Sequence, residues 1–194
     1  GYFEQEDLLG AFDFVRSTGI PSGNIGVLGF SMGAATSILG ASKEAGIQAV
    51  VSDSTYATIL DLIAQEIERA TPMPAWIVPL FQPGINIMAN ILYGIKLDKI
   101  VPEKAASEIN YPIFLIHGVD DARVPVEQSI RVHKAAQKDS VLWKAEGAGH
   151  VGAFNKYPNE YFERIIGYFR ARLGLPTSKI IKDYNPTKTN MSMK

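Results

Sequence analysis

The sequence predicts one α/β domain in which a mostly parallel β-sheet is covered by helices on both faces. Short, largely apolar stretches alternate with segments of helical spacing, and they cover residues 25–30, 47–52, 113–117 and 141–145. Strands that alternate with helices pair in parallel, and strands that are apolar throughout are buried on both faces. The 194 residues, of which 46% are hydrophobic, suffice for one domain with a substantial core.

The helices are predicted from the spacing of their apolar residues. The first covers residues 4–17, has acidic residues in its first turn and is ended by the Gly- and Pro-containing residues 19–23. The last covers residues 158–173 and carries Tyr161 and Ile165 on one side. Helices are also expected over residues 32–43, 58–70, 102–109 (a short helix or turn) and 126–137.

The composition excludes several classes of function. The formal net charge is −1, so no basic excess indicates a nucleic-acid partner. The chain has no cysteine, which excludes disulfides, a thiol nucleophile and thiolate metal sites. Its three histidines lack zinc-site spacing, and we expect neither a metal nor a cofactor. No signal peptide is visible, and the expected compartment is the cytoplasm or a membrane surface.

A long uncharged stretch covers residues 70–95. It contains four prolines and two asparagines, which argue against a membrane-spanning helix. We therefore expect a lid or surface-lying segment broken by proline. The domain itself is predicted over residues 1–174, with a cap inserted at about 56–100, and the polar tail 175–194 is expected to be mobile.

The most informative motif is Gly-Phe-Ser-Met-Gly at residues 29–33, which lies between a predicted strand and a predicted helix. A serine on so tight a strand-to-helix turn is forced outward at the end of the sheet. Glycines are expected on both sides of Ser31 because side chains there would collide with the neighbouring strand and helix. The motif makes Ser31 a candidate nucleophile.

A serine hydroxyl needs an adjacent base and an acid that orients the base. In His-Gly-Val-Asp-Asp-Ala-Arg-Val-Pro, residues 117–125, the preferred acid is Asp121, and Asp120 is the alternative turn residue. Asp53, which ends the second strand, is a third candidate. All three could instead simply cap turns at strand ends.

The candidate base is His150, in a Gly-rich loop that follows the last predicted strand. The glycines allow its imidazole to reach over the sheet edge to Ser31, and an ordinary imidazole exchanges protons near neutral pH. His117, at the end of a buried strand, is expected to be a structural hydrogen-bonding group. His133, on a helix, is expected to be solvated.

Taken together, Gly-Phe-Ser-Met-Gly-Ala-Ala, His-Gly-Val-Asp-Asp-Ala-Arg-Val-Pro-Val and Gly-Ala-Gly-His resemble the α/β-hydrolase superfamily. Within it, the chain is similar to serine esterases and to serine-peptidase-like and lysophospholipase-like hydrolases, from about residue 1 to 173. The resemblance implies Ser31 as nucleophile, His150 as base and Asp121 as orienting acid. It also implies that the backbone N–H of Met32 is one oxyanion-hole donor.

The chain departs from that family before the first predicted helix, where several strands and a second oxyanion donor are normally encoded. Without them the strand before Ser31 has an unpaired edge, which invites pairing with another chain. The chain is thus a fragment, a short protein that completes its sheet as a homodimer, or one complemented by a separate N-terminal chain. Because full-length relatives often begin with a hydrophobic anchor, a longer parent is compatible with membrane association.

Apolar residues of the cap have two interpretations: an acyl pocket above Ser31, or packing in the core or an interface. Candidate substrate-binding residues are Trp76, Phe81, Met88 and Tyr93, and further candidates are Met73, Ile77, Leu80 and Leu92. An apolar cap favours uncharged acyl or aryl esters. The first hypothesis is a carboxylesterase; the others are a peptidase or thioesterase of the same fold and a catalytically impaired binding domain.

Overall fold

The structure is a computed structural model that describes residues 1–21, 23–71 and 76–174. The elements, in chain order, are α1 (Glu4–Ser17), β1 (Ile25–Phe30), α2 (Met32–Ala41), β2 (Ile47–Asp53), α3 (Ile59–Ala70), α4 (Val78–Tyr93), a 3-10 turn (Leu97–Lys99), α5 (Pro102–Glu108), β3 (Phe114–Gly118), α6 (Val126–Ala135), β4 (Val141–Ala145), α7 (Ala153–Lys156) and α8 (Pro158–Leu173).

The four strands form one parallel sheet in the order β1-β2-β3-β4. Phe30 at the end of β1 is in register with Asp53 at the end of β2, and Gly118 at the end of β3 is in register with Ala145 at the end of β4. Because parallel strands end at the same edge, the loops after β1, β2, β3 and β4 all begin there. The predicted parallel α/β fold is confirmed.

Both faces of the sheet are covered, as the apolar strands predicted. Val50 and Leu115 pack on one face with residues of α1, α2, α5 and α6. Their neighbours Val51 and Phe114 point to the opposite face and pack with residues of α7 and α8. The alternation follows from the two-residue period of a strand, and it gives the domain two apolar layers around one sheet.

The strand that precedes Ser31 lies at the edge of the sheet. It is β1, which is first in the strand order and has β2 on one side only. Two of its large apolar side chains remain accessible: Leu28 is 39% exposed and Phe30 45% exposed. Within the described residues, the outer side of β1 is therefore an uncovered, apolar, parallel edge.

Helix α4 occupies most of the uncharged stretch, and the side that faces the domain carries both apolar and polar residues: Val78 is buried, and Ile85 and Ala89 pack against the core. The polar Gln82 and Asn86 are half-buried against the domain, and Asn86 Oδ1 accepts a hydrogen bond from the Leu97 N–H at 2.8 Å. The opposite side is apolar and exposed, with Leu80 and Ile91 each 72% accessible. The prolines did not break the helix over 78–93, contrary to the expected interruption.

The helix is continuous although only one of its two prolines lies in the first turn, and Pro83 lies inside the helix, where a proline removes a backbone hydrogen bond. Pro79 lies in the first turn of α4, where its missing N–H is not needed, and Pro83 lies one turn later. Gly94 then ends the helix in a left-handed conformation with φ 67°.

None of the helices in the described ranges is both long and apolar enough to cross a membrane. The expected mobile tail, residues 175–194, lies outside the described residues.

Candidate active site

Ser31 lies on a sharp turn between β1 and α2, as the motif predicted. Its backbone has φ 52° and ψ −115°, which is a strained conformation for a residue with a side chain. The Ser31 N–H donates to the Asp53 carbonyl at 2.8 Å, which continues the ladder between β1 and β2 beyond the last strand residue. The turn is thus held from the neighbouring strand while the Ser31 side chain faces out of the sheet edge.

The two glycines of the motif are not equivalent. A Cβ added at Gly29 would lie 2.2 Å from the Gly33 carbonyl oxygen and 2.5 Å from Ser37 Oγ, so only glycine fits there. A Cβ added at Gly33 would meet no atom within 4 Å among the described residues. The expected steric requirement is therefore confirmed at Gly29 and wrong at Gly33, because the turn closes on the Gly29 side.

Asp121 follows β3, and its side chain is fully buried. Its Oδ1 accepts hydrogen bonds from the backbone N–H groups of Arg123 and Val124, each at 2.9 Å. Its Oδ2 lies 2.7 Å from His150 Nδ1 and 3.3 Å from His117 Nε2. Burial alone raises the pKa of Asp121, but hydrogen bonds from His117, the Val124 N–H and His150 outweigh it and lower the pKa to about 2.

His150 bridges Asp121 and Ser31. Its Nδ1 lies 2.7 Å from Asp121 Oδ2, and its Nε2 lies 2.8 Å from Ser31 Oγ. Because an ionised carboxylate can only accept, Nδ1 carries the proton and Nε2 is left as the acceptor for the Ser31 hydroxyl. The imidazole is 20% exposed, so it is supported by the protein and still open to a ligand on one side.

The other acid candidates lie elsewhere. Asp120 is exposed, and its N–H donates to the Ala148 carbonyl at 3.0 Å, which is the turn role expected for it. Asp53 is completely buried, but its carboxyl binds the hydroxyls of Ser54 and Tyr161 at 3.0 and 2.8 Å. Of the three acids, the structure brings Asp121 to the imidazole.

Of the two remaining histidines, one has the environment expected from the sequence and the other does not. His117 is fully buried, and its ring nitrogens lie 2.6 Å from Ser129 Oγ and 2.8 Å from the Val124 carbonyl, as expected for a structural group. The expectation that His133 is solvated is wrong. It is half-buried, and its Nε2 lies 2.9 Å from the Ser140 carbonyl oxygen, because α6 packs this side chain towards the start of β4.

The loop that carries His150 is held by close packing against β3 and by a hydrogen bond to Ser54. Gly118 allows it to approach β3, since a Cβ there would lie 2.2 Å from the Ala148 carbonyl oxygen. The Val151 N–H donates to Ser54 Oγ at 3.1 Å, and Val151 has an unusual positive φ of 53°. Sequence reasoning did not identify Ser54, because nothing in the local sequence marks it as a partner of a loop 97 residues away.

Met32 is the first residue of α2, immediately after Ser31. Backbone N–H groups in the first turn of a helix have no acceptor inside the helix. The amide of Met32 therefore belongs to the set that can donate to an oxyanion beside Ser31. The Met32 side chain is 50% exposed.

The four cap residues singled out as substrate-binding candidates lie on α4 or in the turn before it, and none is in the core. Their exposed fractions are 74% for Trp76, 50% for Phe81, 55% for Met88 and 69% for Tyr93. Packing in the core is therefore excluded for these four side chains. Met73, a further candidate, lies outside the described residues.

The segment expected to form a cap is nevertheless connected to the candidate site through α3. Arg69, in the last turn of that helix, donates to the carbonyl of Ala122 and, at 3.1 Å, to that of Arg123. Both acceptors lie directly after Asp121.

Across the described ranges, no group of three or more His, Asp or Glu is placed to hold a metal ion.

Comparison with known proteins adds three kinds of similarity. Residues 85–175 match the family model of the prolyl oligopeptidase family, peptidase S9. The chain is 26% identical over 163 residues to the uncharacterized protein YqkD of Bacillus subtilis (strain 168), and the match covers 83% of this chain and 52% of that protein. The esterase Pf2001 of Pyrococcus furiosus has 28% identity and a TM-score of 0.57, over 77% of this chain and 54% of the esterase.

Two further solved structures share the fold at lower identity. A puromycin-hydrolyzing peptidase of Mycobacterium tuberculosis has a TM-score of 0.66 and 21% identity, over 89% of this chain and 25% of the peptidase. An esterase domain from a Rhodothermus marinus protein has a TM-score of 0.57 and 18% identity, over 85% of this chain and 70% of that domain. The chain spans about half the length of YqkD and of the Pyrococcus esterase. Together these similarities show that the chain shares the fold of these hydrolases.

Proposed function

Because this chain belongs to the α/β-hydrolase superfamily, we propose that it is a serine hydrolase that cleaves carboxylic esters through an acyl-enzyme. One observation carries the proposal: a continuous hydrogen-bonded chain runs from Asp121 through His150 to Ser31, with distances of 2.7 and 2.8 Å. A nucleophile in contact with a base, and that base in contact with a buried acid, is the arrangement that activates a serine hydroxyl.

In the first half of the reaction, Ser31 Oγ attacks the ester carbonyl carbon while His150 Nε2 takes the hydroxyl proton. The carbonyl oxygen becomes an oxyanion, which the Met32 N–H helps to stabilise. His150 then returns the proton to the leaving alcohol oxygen as the C–O bond breaks. Ser31 is left acylated, and the imidazole is again neutral.

In the second half, water replaces the alcohol. His150 Nε2 takes a proton from the water as its oxygen attacks the acyl carbon, and it then protonates Ser31 Oγ as that bond breaks. The carboxylic acid leaves, and Ser31 is regenerated. Throughout, Asp121 accepts the Nδ1–H of His150, which keeps the ring oriented and stabilises its protonated state.

The test is the replacement Ser31→Ala, with hydrolysis of p-nitrophenyl acetate and butyrate as the assay. We expect turnover to disappear and the Tm to change little, since the substitution removes one hydroxyl from a half-buried turn and keeps the backbone conformation. The matched control is Ser42→Ala at the end of α2, whose hydroxyl donates to the Leu39 carbonyl. Turnover that survives in the Ser31 variant contradicts the assignment.

A peptidase is the second candidate, and the match of residues 85–175 to the prolyl oligopeptidase family favours it. The triad chemistry is shared, and only the leaving group differs, an amine instead of an alcohol. Relative kcat/KM for matched ester, amide and thioester substrates with the same acyl group separates the candidates. If Ser31 reacts with a fluorophosphonate but no acyl substrate turns over, the chain is better described as a binding domain with an impaired oxyanion hole.

For the substrate we propose an uncharged acyl or aryl ester. The support is the apolar, charge-free surface of α4 and the turn before it, where Trp76, Phe81, Met88 and Tyr93 are all accessible. A series of p-nitrophenyl esters of increasing acyl length gives the preference. If Trp76→Ala and Phe81→Ala leave the whole series unchanged, these residues do not contact the acyl group.

We also propose that the 194-residue chain associates through the outer edge of β1, with a second copy or with a complementing strand. The support is the position of β1 in the strand order together with the exposed Leu28 and Phe30. Association there would cover the apolar edge next to Ser31.

A further inference from the structure

The candidate mechanism leaves one buried carboxyl unexplained. Asp53, the last residue of β2, is 0% exposed, and so is Ser54 beside it. Burial raises the pKa of Asp53, which means that the ionised form is costly at this position. Asp121 already orients His150, so a second buried carboxyl needs a different role.

The carboxyl of Asp53 accepts hydrogen bonds from the hydroxyls of two neighbouring side chains. Ser54 Oγ is 3.0 Å from Oδ1, and Tyr161 Oη is 2.8 Å from Oδ2. Ser54 Oγ also accepts the Val151 N–H at 3.1 Å. Since a hydroxyl has one proton, the Ser54 proton points to Asp53 and a lone pair points to Val151. The carboxylate thereby sets the direction of the acceptor that holds the His150 loop.

The same residue also reaches the nucleophile. The Asp53 backbone carbonyl accepts the Ser31 N–H at 2.8 Å, so the strained turn at Ser31 is fixed to β2 at this residue. Through its carbonyl Asp53 contacts the residue that carries the hydroxyl, and through Ser54 it contacts the residue after the imidazole. Both halves of the Ser31–His150 pair are thus anchored at one point.

Backbone strain shows that these anchors are needed. Ser31, Ser54 and Val151 all have positive φ values, of 52°, 60° and 53°. For a β-branched residue such as Val151 this conformation is strongly disfavoured, and it persists only where surrounding contacts enforce it. The Val151–Ser54 hydrogen bond joins two of the strained residues directly.

We propose that Asp53, with Ser54 and Tyr161, is a positioning group that holds Val151 and hence keeps the His150 imidazole at hydrogen-bonding distance from Ser31. The inference deepens the proposed serine hydrolase function and rests on it. Asp53 touches no reacting atom, and its effect on catalysis is through the loop after β4.

The first test is Ser54→Gly. Glycine adopts φ 60° without strain, so this variant removes the hydroxyl without adding a backbone penalty. We expect kcat for p-nitrophenyl butyrate to fall by about tenfold with little change in KM, because the base is misplaced while substrate contacts are kept. We also expect the Val151 amide to exchange with deuterium at least about tenfold faster, because it has lost its acceptor.

The second test is Tyr161→Phe, with Tyr168→Phe as its matched control. Both tyrosines lie on α8, and each donates its hydroxyl proton inside the protein: Tyr161 to Asp53, and Tyr168 to the Pro112 carbonyl at 2.9 Å. Tyr168 Oη also accepts the Val50 N–H of β2 at 3.0 Å, so its loss removes one more hydrogen bond than the loss of the Tyr161 hydroxyl. A purely structural role predicts an effect of Tyr168→Phe at least as large as that of Tyr161→Phe. Positioning through Asp53 predicts that kcat and the Nδ1–H resonance of His150 change in Tyr161→Phe alone.

The outcomes separate this inference from the proposed function. If wild-type protein hydrolyses no ester and Ser31 is not labelled by a fluorophosphonate, the proposed function fails. The exchange of the Val151 amide and the His150 resonance then still decide the positioning role, since neither needs turnover. Wild-type exchange and an unchanged His150 resonance in both Ser54→Gly and Tyr161→Phe overturn the inference. So does a loss of kcat in Tyr168→Phe that equals or exceeds the loss in Tyr161→Phe.

Discussion

Replacing Asp121 by asparagine tests the geometry of the candidate site most directly, because the structure dictates how the amide must be oriented. Oδ1 of Asp121 accepts two backbone N–H groups, from Arg123 and Val124. An asparagine must therefore keep its carbonyl oxygen on that side and turn its NH2 group towards His150. The NH2 donates, so Nδ1 of His150 has to become an acceptor and the proton moves to Nε2.

With the proton on Nε2, the imidazole can no longer take the hydroxyl proton of Ser31. We expect kcat for p-nitrophenyl butyrate to fall by about 10⁴-fold, the loss that follows when the base is held in the wrong tautomer. The matched control is Asp120→Asn at the exposed neighbouring position, which should retain wild-type turnover. A fall of less than about tenfold in Asp121→Asn, or a larger fall in Asp120→Asn, refutes the assignment of the acid.

The same substitution has a predictable effect on stability. The pKa of Asp121 is lowered from the ordinary 3.8 to about 2, and the side chain is fully buried. A depressed pKa means that the ionised carboxylate stabilises the fold by about 2 kcal/mol at neutral pH. This contribution is present above pH ~4 and is lost as the pH falls towards ~2. Urea titrations should show that the Asp121→Asn variant lacks this part of the pH dependence.

Two further predictions concern the turn and the edge strand. Gly29→Ala places a Cβ 2.2 Å from the Gly33 carbonyl oxygen and should lower the Tm sharply or prevent folding, whereas Gly33→Ala meets no described atom within 4 Å and should be tolerated much better; equal Tm values for the two variants contradict this. In sedimentation velocity the 194-residue chain should be an oligomer, and Leu28→Lys on the exposed edge of β1 should shift it towards monomer. A monodisperse monomer with full esterase activity rules out the proposed association.

Much of the fold follows from local patterns. The limits of β1, β4 and α8 agree with the apolar runs and helical spacing, because each is set by burial of one face or of both. The structure of residues 78–93 was harder to predict from the sequence. Its prolines suggested a break, but Pro79 lies in the first turn of a helix, where its missing N–H is not needed, and the helix continues through Pro83. The exposure of its outer apolar residues, such as Leu80 and Ile91, could not be predicted either, since an apolar side chain does not indicate whether it faces a core or solvent.

For the candidate site, the sequence alone determined which residue types were available and their order: a serine on a tight turn, an acid after one strand and a histidine after the next. The sequence also preferred Asp121 among the three acids, and the tertiary structure showed that its carboxyl, unlike those of Asp120 and Asp53, contacts the imidazole. Only the tertiary structure revealed the contact from Ser54 to Val151, which joins residues 97 positions apart. The physical reason is that a motif encodes a local turn, whereas a hydrogen bond between loops depends on the register of the parallel strands that bring them together.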